Sequence, residues 1–504
     1  MKISNYRLTV AWTLGFAAAT LGHSSVFGYE NNLERTFQVS AGGRFVLEAD
    51  RGSVVIKTSA HDAVSVRVFR EIRDGGRSAA DKVFTNHEVT FGQDGDMVNV
   101  TARMHKSGWF SRNEPNLTVR YEVTVPEKFN VNLKTAGGDV RVADLQGAAR
   151  AATTGGALRL GRISGAVEAG DAGGDIELTE AASVIAHTTG GSLTIHKVKG
   201  AAELTDAGGD IHVEEAGGTV RASTTGGAIA LGRVGGDVAA GNAGGDVRVE
   251  SANGNIEAHT TSGAIHIRRA LGTVTAKNAG GDVTVDDAAG DVSAMTTSGA
   301  LRIGVARGSL VLKNAGGDIM IEEAGSLKAE TTSGSIRVKK VAGAVMAHDA
   351  GGDIVIGEAS GPLELRTTSG SILVSKAKAK VEARDAGGNI EITEAHEGIT
   401  AETTSGSVKV NFAESPRADS RLEVMGGEIE VGLPEGAGIE LDARTAGGRI
   451  SSEFPTAARQ GPLGAMQARI NGGGHALALR SSGGDIRLVR TPRAKAPIQV
   501  EDER

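Results

Sequence analysis

The chain of 504 residues contains no cysteine. That excludes disulfides, thiolate nucleophiles and cysteine-ligated metals together. Aromatic residues make up only 3%, and none lies between Phe129 and Phe412. A core over that span is filled by Val, Ile, Leu and Ala and must be thin. The same span offers no aromatic platform for a sugar ring to stack on. An excess of one charge is missing as well. Lys and Arg number 54 against 61 Asp and Glu, a net charge of −7, with the two signs interleaved. No basic face results, which argues against nucleic acid as a partner.

Glycine is abundant, at 73 residues, and it is periodic. From Ala136 to about Val410 one phrase recurs in two alternating versions. One is Ala207-Gly208-Gly209-Asp210-Ile211; the other is Thr224-Thr225-Gly226-Gly227-Ala228-Ile229. Taking the last Gly as a marker, the repeat runs Gly138, Gly156, Gly174, Gly191, Gly209 and on to Gly406. The spacing is 18 residues, shortened to 17 at Gly174 to Gly191 and at Gly317 to Gly334. Such a period means stacked units, each too small to bury a core alone.

Two and four residues after each marker the chain is aliphatic, as at Ile211/Val213 and Ile229/Leu231. Apolar residues return at offsets 11 and 13, as at Val220/Ala222 and Val238/Ala240. Alternation with period two, broken by Gly, predicts short half-buried strands. The fold class is therefore all-β, a parallel β-solenoid (β-helix) of 18-residue coils in alternating pairs, with an N-terminal β-rich cap. The column six residues after the marker separates an 18-residue coil from a 36-residue one. It reads Glu180, Lys197, Glu215, Arg233 and, further on, Glu323, Lys340, Glu358, Lys376, Glu394. With 18 residues per coil, acid stacks on base; with 36, like charges would stack and repel. Sixteen coils at about 4.8 Å each give a rod of about 77 Å.

Residues 1–28 read as a secretory signal, with Lys2 and Arg7 ahead of an apolar run from Leu8 to Leu21. Export to the periplasm, cell surface or medium is expected. Residues 30–134 are richer in aromatics and predict a β-rich cap with a short helix at Ser78–Thr85. Residues 135–411 form the regular solenoid, 412–490 irregular coils and a C-terminal cap, and 491–504 a loose tail.

The Gly-Gly-Asp-Ile and Ser-Gly-Ser-Ile phrases carry a resemblance. So do the strand Val119–Pro126 leading into Leu133–Gly138, and the ending Asn471–Leu488. Together they resemble a bacterial "putative adhesin" family, a domain of unknown function with a β-solenoid fold, over about residues 35–490. The resemblance implies that fold, and an association with the cell envelope.

Several residues invite a functional reading. Pairs such as Asp206 with Asp210 and Asp349 with Asp353 could line a Ca²⁺ site. Two side chains fall short of the six to eight oxygens calcium takes, and Asp or Asn bonding to nearby backbone N–H groups accounts for the same residues. No metal or other cofactor is therefore expected. The Thr224-Thr225 type of pair could order water, but corner Thr residues commonly satisfy backbone groups. Trp109 and Phe110 could form an apolar tip touching a membrane or a partner, or could pack within the cap. The array has almost no insertions between coils, so no wall forms around a cleft, and no catalytic residue stands out. The expectation is an exported, adhesin-like or structural envelope rod binding a protein or cell-surface ligand. The alternative is a periplasmic scaffold, or an envelope-stress-associated component, that docks a protein partner through residues 30–134.

Overall fold

The computed structural model describes residues 28–105, 116–455, 459–460 and 464–491. The expected signal, the tail after 491, and Trp109 and Phe110 lie outside the described residues.

Each coil consists of two strands around a Gly-Gly turn. We call them the leading strand, which runs into the turn, and the trailing strand, which leaves it. In one coil these are Val220–Thr224 and Ile229–Val234. Val220, Ala222 and Thr224 point inward from the first; Ile229, Leu231 and Val234 point inward from the second. Burying an Ile or Leu side chain is worth about 1.5–3 kcal/mol relative to exposure, so the trailing strand supplies most of each coil's driving force. Stacked leading strands make one parallel sheet and stacked trailing strands another, with the thin aliphatic core between.

Register confirms the 18-residue coil. Ile211 faces Ile229, which faces Val247, and Val220 faces Val238. The charged column stacks as expected: Glu180 against Lys197, Lys197 against Glu215, Glu215 against Arg233. Its ion pairs include Lys197–Glu215 at 3.4 Å, Arg233–Glu215 at 3.4 Å and Lys376–Glu394 at 2.6 Å. These pairs are exposed and worth about 0.2–1 kcal/mol each, so they specify register more than they add stability. The two 17-residue spacings are also explained. In each, the missing residue is taken from the corner between a trailing strand and the next leading strand. Pairing is Ala306 with Ala324 before the corner and Ser309 with Ser326 after it. Strand register is untouched on both sides.

The marker glycines are not there for unusual backbone angles. Among them only Gly138 has positive φ, at 119°. They are there because successive turns stack backbone on backbone. A Cβ on Gly227 would lie 2.1 Å from the carbonyl oxygen of Gly209, and one on Gly245 would lie 2.2 Å from that of Gly227. The preceding glycine is under less pressure. A Cβ on Gly226 would lie 3.2 Å from its nearest neighbour, the Gly208 carbonyl oxygen, and Ser262 and Ser298 occupy that place in other coils.

The body from Asn130 to Leu433 makes about 17 turns of about 18 residues. The coils do not begin at residue 135, where the sequence places the end of the cap. Arg44–Ala49 and Ser53–Ser59 form a coil that pairs in parallel with Asn130–Thr135 and Val140–Val142. On its other side the same coil pairs in parallel with Met97–Met104 and Leu117–Pro126. The first coil in sequence is thus the second in space. Capping falls to antiparallel strands laid on the outermost coil. Ala63–Ile72 pairs with Leu117–Pro126, Leu33–Gln38 pairs with Ala63–Ile72, and His87–Asp94 pairs with Met97–Met104. The helix Arg77–Asn86 stands where a short helix was expected. Phe45, Tyr121 and Phe129 fill this wider end.

The C-terminal end repeats the arrangement. His475–Ser481 inserts between Ser420–Val424 and Ile439–Thr445. Ile486–Arg490 inserts between Ile429–Leu433 and Ile450–Ser452. The last coil in sequence is again one rung in from the end, and the antiparallel strand Ala465–Ile470 covers Ile439–Thr445.

Candidate functional site

Two regions combine repeated chemistry with defined geometry: the Gly-Gly turns, and the outer face of the leading sheet.

At the turns, the residue three before each marker points inward and is buried. From Thr153 to Thr403 this column alternates Thr with Asp or Asn. Thr224 Oγ1 donates to the carbonyl of Gly209 in the preceding coil at 3.1 Å, and Thr260 Oγ1 to that of Gly245 at 3.0 Å. The residue after the marker points outward and bonds the other way. Asp210 Oδ1 accepts from the backbone N–H of Ala228 in the next coil at 2.7 Å, and Asp353 Oδ1 from that of Ser371 at 2.8 Å. Each turn is therefore clamped to its neighbours by one inner and one outer side chain.

The strand-and-turn geometry places the proposed calcium partners differently. Asp206 is buried, with Oδ1 accepting from the Gly208 N–H at 3.0 Å; Asp210 is exposed and engaged with the next coil. Asp349 and Asp353 repeat this split. Among the described residues, no cluster of three or more His, Asp or Glu side chains is arranged to hold a metal ion. Some of the histidines pair with carboxylates of neighbouring coils, among them His196, His266 and His396. His196 lies between Glu214 at 3.0 Å and Glu177 at 3.6 Å, and the Glu214 carboxylate raises its imidazole above the usual value.

The outer face of the leading sheet carries three shallow depressions. One of about 350 Å³ is lined by Glu203, Arg221, Ala239, Gly241, Glu257 and His259, where small residues leave a dip between charged ones. A second, of about 500 Å³, is lined by Val311, Lys328, Met346, Pro362 and Glu364. A third, of about 690 Å³, is lined by Arg384, Glu402, Glu423, Met425, Arg444 and Arg480. In the third the charges are paired. Arg384 meets Glu382 at 2.6 Å and Glu402 at 3.3 Å, and Arg444 meets Asp442 at 3.2 Å. The large apolar side chains Ile185, Met295, Val311 and Met346 are exposed on this same face. Sequence reasoning did not single them out, because the outward columns vary from coil to coil. The available signal was an aliphatic or Met residue at an outward strand position.

The sequence profile of the family described as Toastrack DUF4097 matches residues 44–303, 245–361 and 304–489. The chain belongs to this family. Among solved structures, a "putative cell adhesion protein" from Clostridium sporogenes ATCC 15579 aligns over 92% of this chain and 100% of its own, at 7% identity and a TM-score of 0.15. A "putative adhesin" from Bacteroides fragilis NCTC 9343 aligns over 56% of this chain and 97% of its own, at 12% identity and a TM-score of 0.16. No curated protein matches. Overlapping matches fit the fold, since a periodic toastrack chain can be aligned in more than one frame.

Proposed function

We propose that this toastrack chain is an exported, adhesin-like rod that holds an extended partner along the outer face of its leading sheet. The observation that carries this is the gathering of Ile185, Met295, Val311 and Met346 on the face that also holds the three depressions. Exposed aliphatic and thioether groups beside charged ones suit a partner that spreads over several coils. The role is binding and not catalysis: the charged groups of the depression around Arg384 and Arg444 neutralise one another instead of converging on a reacting atom.

The test has two parts. Purified rod carrying V311K and M346K should lose binding to whole cells while its circular dichroism stays unchanged; undiminished binding sinks the assignment of this face. On intact producing cells, added protease should digest the rod and spare a periplasmic control. Protection until the outer envelope is opened would replace the adhesin-like role with a periplasmic scaffold docking through residues 30–134.

A further inference from the structure

The buried column at the Gly-Gly turns follows one rule. Every Thr or Asn with an axial bond donates to the marker carbonyl of the preceding coil. Asn242 Nδ2 reaches Gly227 O at 2.7 Å, Asn278 Nδ2 reaches Gly263 O at 2.7 Å, and Asn314 Nδ2 reaches Gly299 O at 2.8 Å. Thr367 and Thr403 do the same to Gly352 and Gly388, at 3.1 and 2.9 Å. Four Asp residues, Asp171, Asp206, Asp349 and Asp385, occupy this column with the same turn geometry and an unpartnered buried Oδ2, and the last two lie in consecutive Asp-type coils on either side of the exposed Asp353. The Oδ1 atoms of Asp349 and Asp385 accept from Gly351 and Gly387 N–H at 3.0 Å, as Asn242 Oδ1 accepts from Gly244 N–H at 3.1 Å. Their Oδ2 atoms, which stand where Asn carries its NH₂, are buried and have no hydrogen-bond partner.

The placement can be checked against the marker glycines. A Cβ on Gly281 would lie 2.3 Å from Gly263 O and 3.0 Å from Asn278 Nδ2. A Cβ on Gly352 would lie 2.3 Å from Gly334 O and 2.8 Å from Asp349 Oδ2. One on Gly388 would lie 2.0 Å from Gly370 O and 2.8 Å from Asp385 Oδ2. Oxygen therefore replaces nitrogen at one spot, facing a carbonyl oxygen. An ionised carboxylate there would set negative oxygen against negative oxygen in a dry site.

We propose that Asp349 and Asp385 hold a proton in the folded rod, and that each donates it through Oδ2 to the carbonyl oxygen of Gly334 or Gly370 in the preceding coil. The slot is one hydrogen bond wide, as the Asn and Thr residues that fill it show, so it suits a proton and not a coordinated cation.

The surroundings agree. The axial neighbours in the column are the neutral Thr331, Thr367 and Thr403. The outward neighbours on the same strands, His348 and Arg384, lie on the opposite face and meet Glu364, Glu382 and Glu402. Burial raises the carboxyls of both Asp349 and Asp385 above the usual range, and the exposed Asp353 carboxylate raises both further. The turn N–H groups of Gly351, Gly352, Gly387 and Gly388 pull the other way and are outweighed. A raised folded-state value means stability that is fully present below the unfolded Asp value of about 3.9 and is lost as pH rises through the folded value. These turns therefore tighten as pH falls.

Denaturant midpoints of the full chain and of its D349N/D385N variant, measured between pH 5 and pH 8, test the proposal. Asn already serves this column at three coils, so the variant is expected to fold. Its midpoint should exceed that of the unmodified chain at pH 8, and the gap should close towards pH 5. In infrared spectra at pH 5, the difference between the unmodified chain and the variant should contain a protonated-carboxyl C=O band on the side of the unmodified chain. A gap independent of pH, a variant weaker at pH 8, or absence of that band would overturn the proposal. So would a midpoint that Na⁺ or Ca²⁺ raises in the unmodified chain alone.

Discussion

A methyl group is the smallest side chain that could be added to Gly227, and the Gly209 carbonyl oxygen already occupies its place. The clash is with backbone, so relief requires the stacked turns to move apart and stretch the bonds at Thr224 and Ala228. Overpacking of this kind costs about 1–3 kcal/mol. Gly226, one residue earlier, faces a looser neighbour, and Ser stands at its equivalent in other coils. G227A should therefore lower the urea midpoint of the full chain, while G226S should shift it by no more than about 0.5 kcal/mol equivalent. Equal effects would mean that the pair is chosen for turn flexibility and not for axial closeness. The periodic glycines are legible in the sequence, but the reason for them is not. One coil read alone suggests turn chemistry, and the constraint appears only when two coils are stacked.

At the scale of single elements, the N-terminal cap buries two basic side chains, Arg70 and His87, next to each other. Arg70 is buried and donates to the carbonyls of Phe84 and His87 at 3.1 and 3.0 Å, tying the end of the helix Arg77–Asn86 to the strand Ala63–Ile72. The His87 ring lies beside it, buried, with neither nitrogen partnered. Burial, and then the Arg70 charge, pull the His87 imidazole down to about 4. A depressed folded-state value gives stability that is present above the unfolded value of about 6.5 and lost as pH falls through the folded one. The cap should thus weaken by about 3 kcal/mol between pH 6.5 and pH 4. Hydrogen exchange of peptides spanning 77–104, corrected for intrinsic rates, should rise over that window and stay flat in H87L. An unchanged profile in H87L would assign the loss to another group. The β-rich character of this region and its short helix are legible in the sequence, because Val, Ile and aromatic residues alternate in its strands. The order of the coils is not, since strand pattern carries no record of which rung lies beside which. The pairs Asp206 with Asp210 and Asp349 with Asp353 show a related limit of the sequence. Four residues along the chain look adjacent, but a turn separates them into an inward and an outward position.

At the scale of the whole molecule, both terminal coils in sequence are held one rung in from the ends, so neither can fray without displacing the coil that covers it. Disturbance is therefore best introduced in the body, where the alternation of Thr-type and Asp-type coils can be tested as a unit. Removing residues 192–227 excises 36 residues and joins Gly191 to Ala228. Arg233 then stacks on Glu180, Ala228 on Asp175, and Asn242 on Thr188, so every column keeps its alternation. Removing residues 192–209 excises 18 residues and joins Gly191 to Asp210. Glu215 then stacks on Glu180 and Asp210 on Asp175, at about 4.8 Å, and like charges in register are destabilising. Both deletions shorten the rod without breaking a strand, so loss of length alone would affect the longer deletion more. The register ladder predicts the opposite. The 36-residue deletion should leave the low-salt midpoint close to that of the full chain, and the 18-residue deletion should lower it. Raising the salt concentration should recover part of the loss, because the two new contacts are exposed and their repulsion is screened. Equal midpoints for the two deletions at low salt would mean that the alternation sets nothing, and that any coil can follow any other.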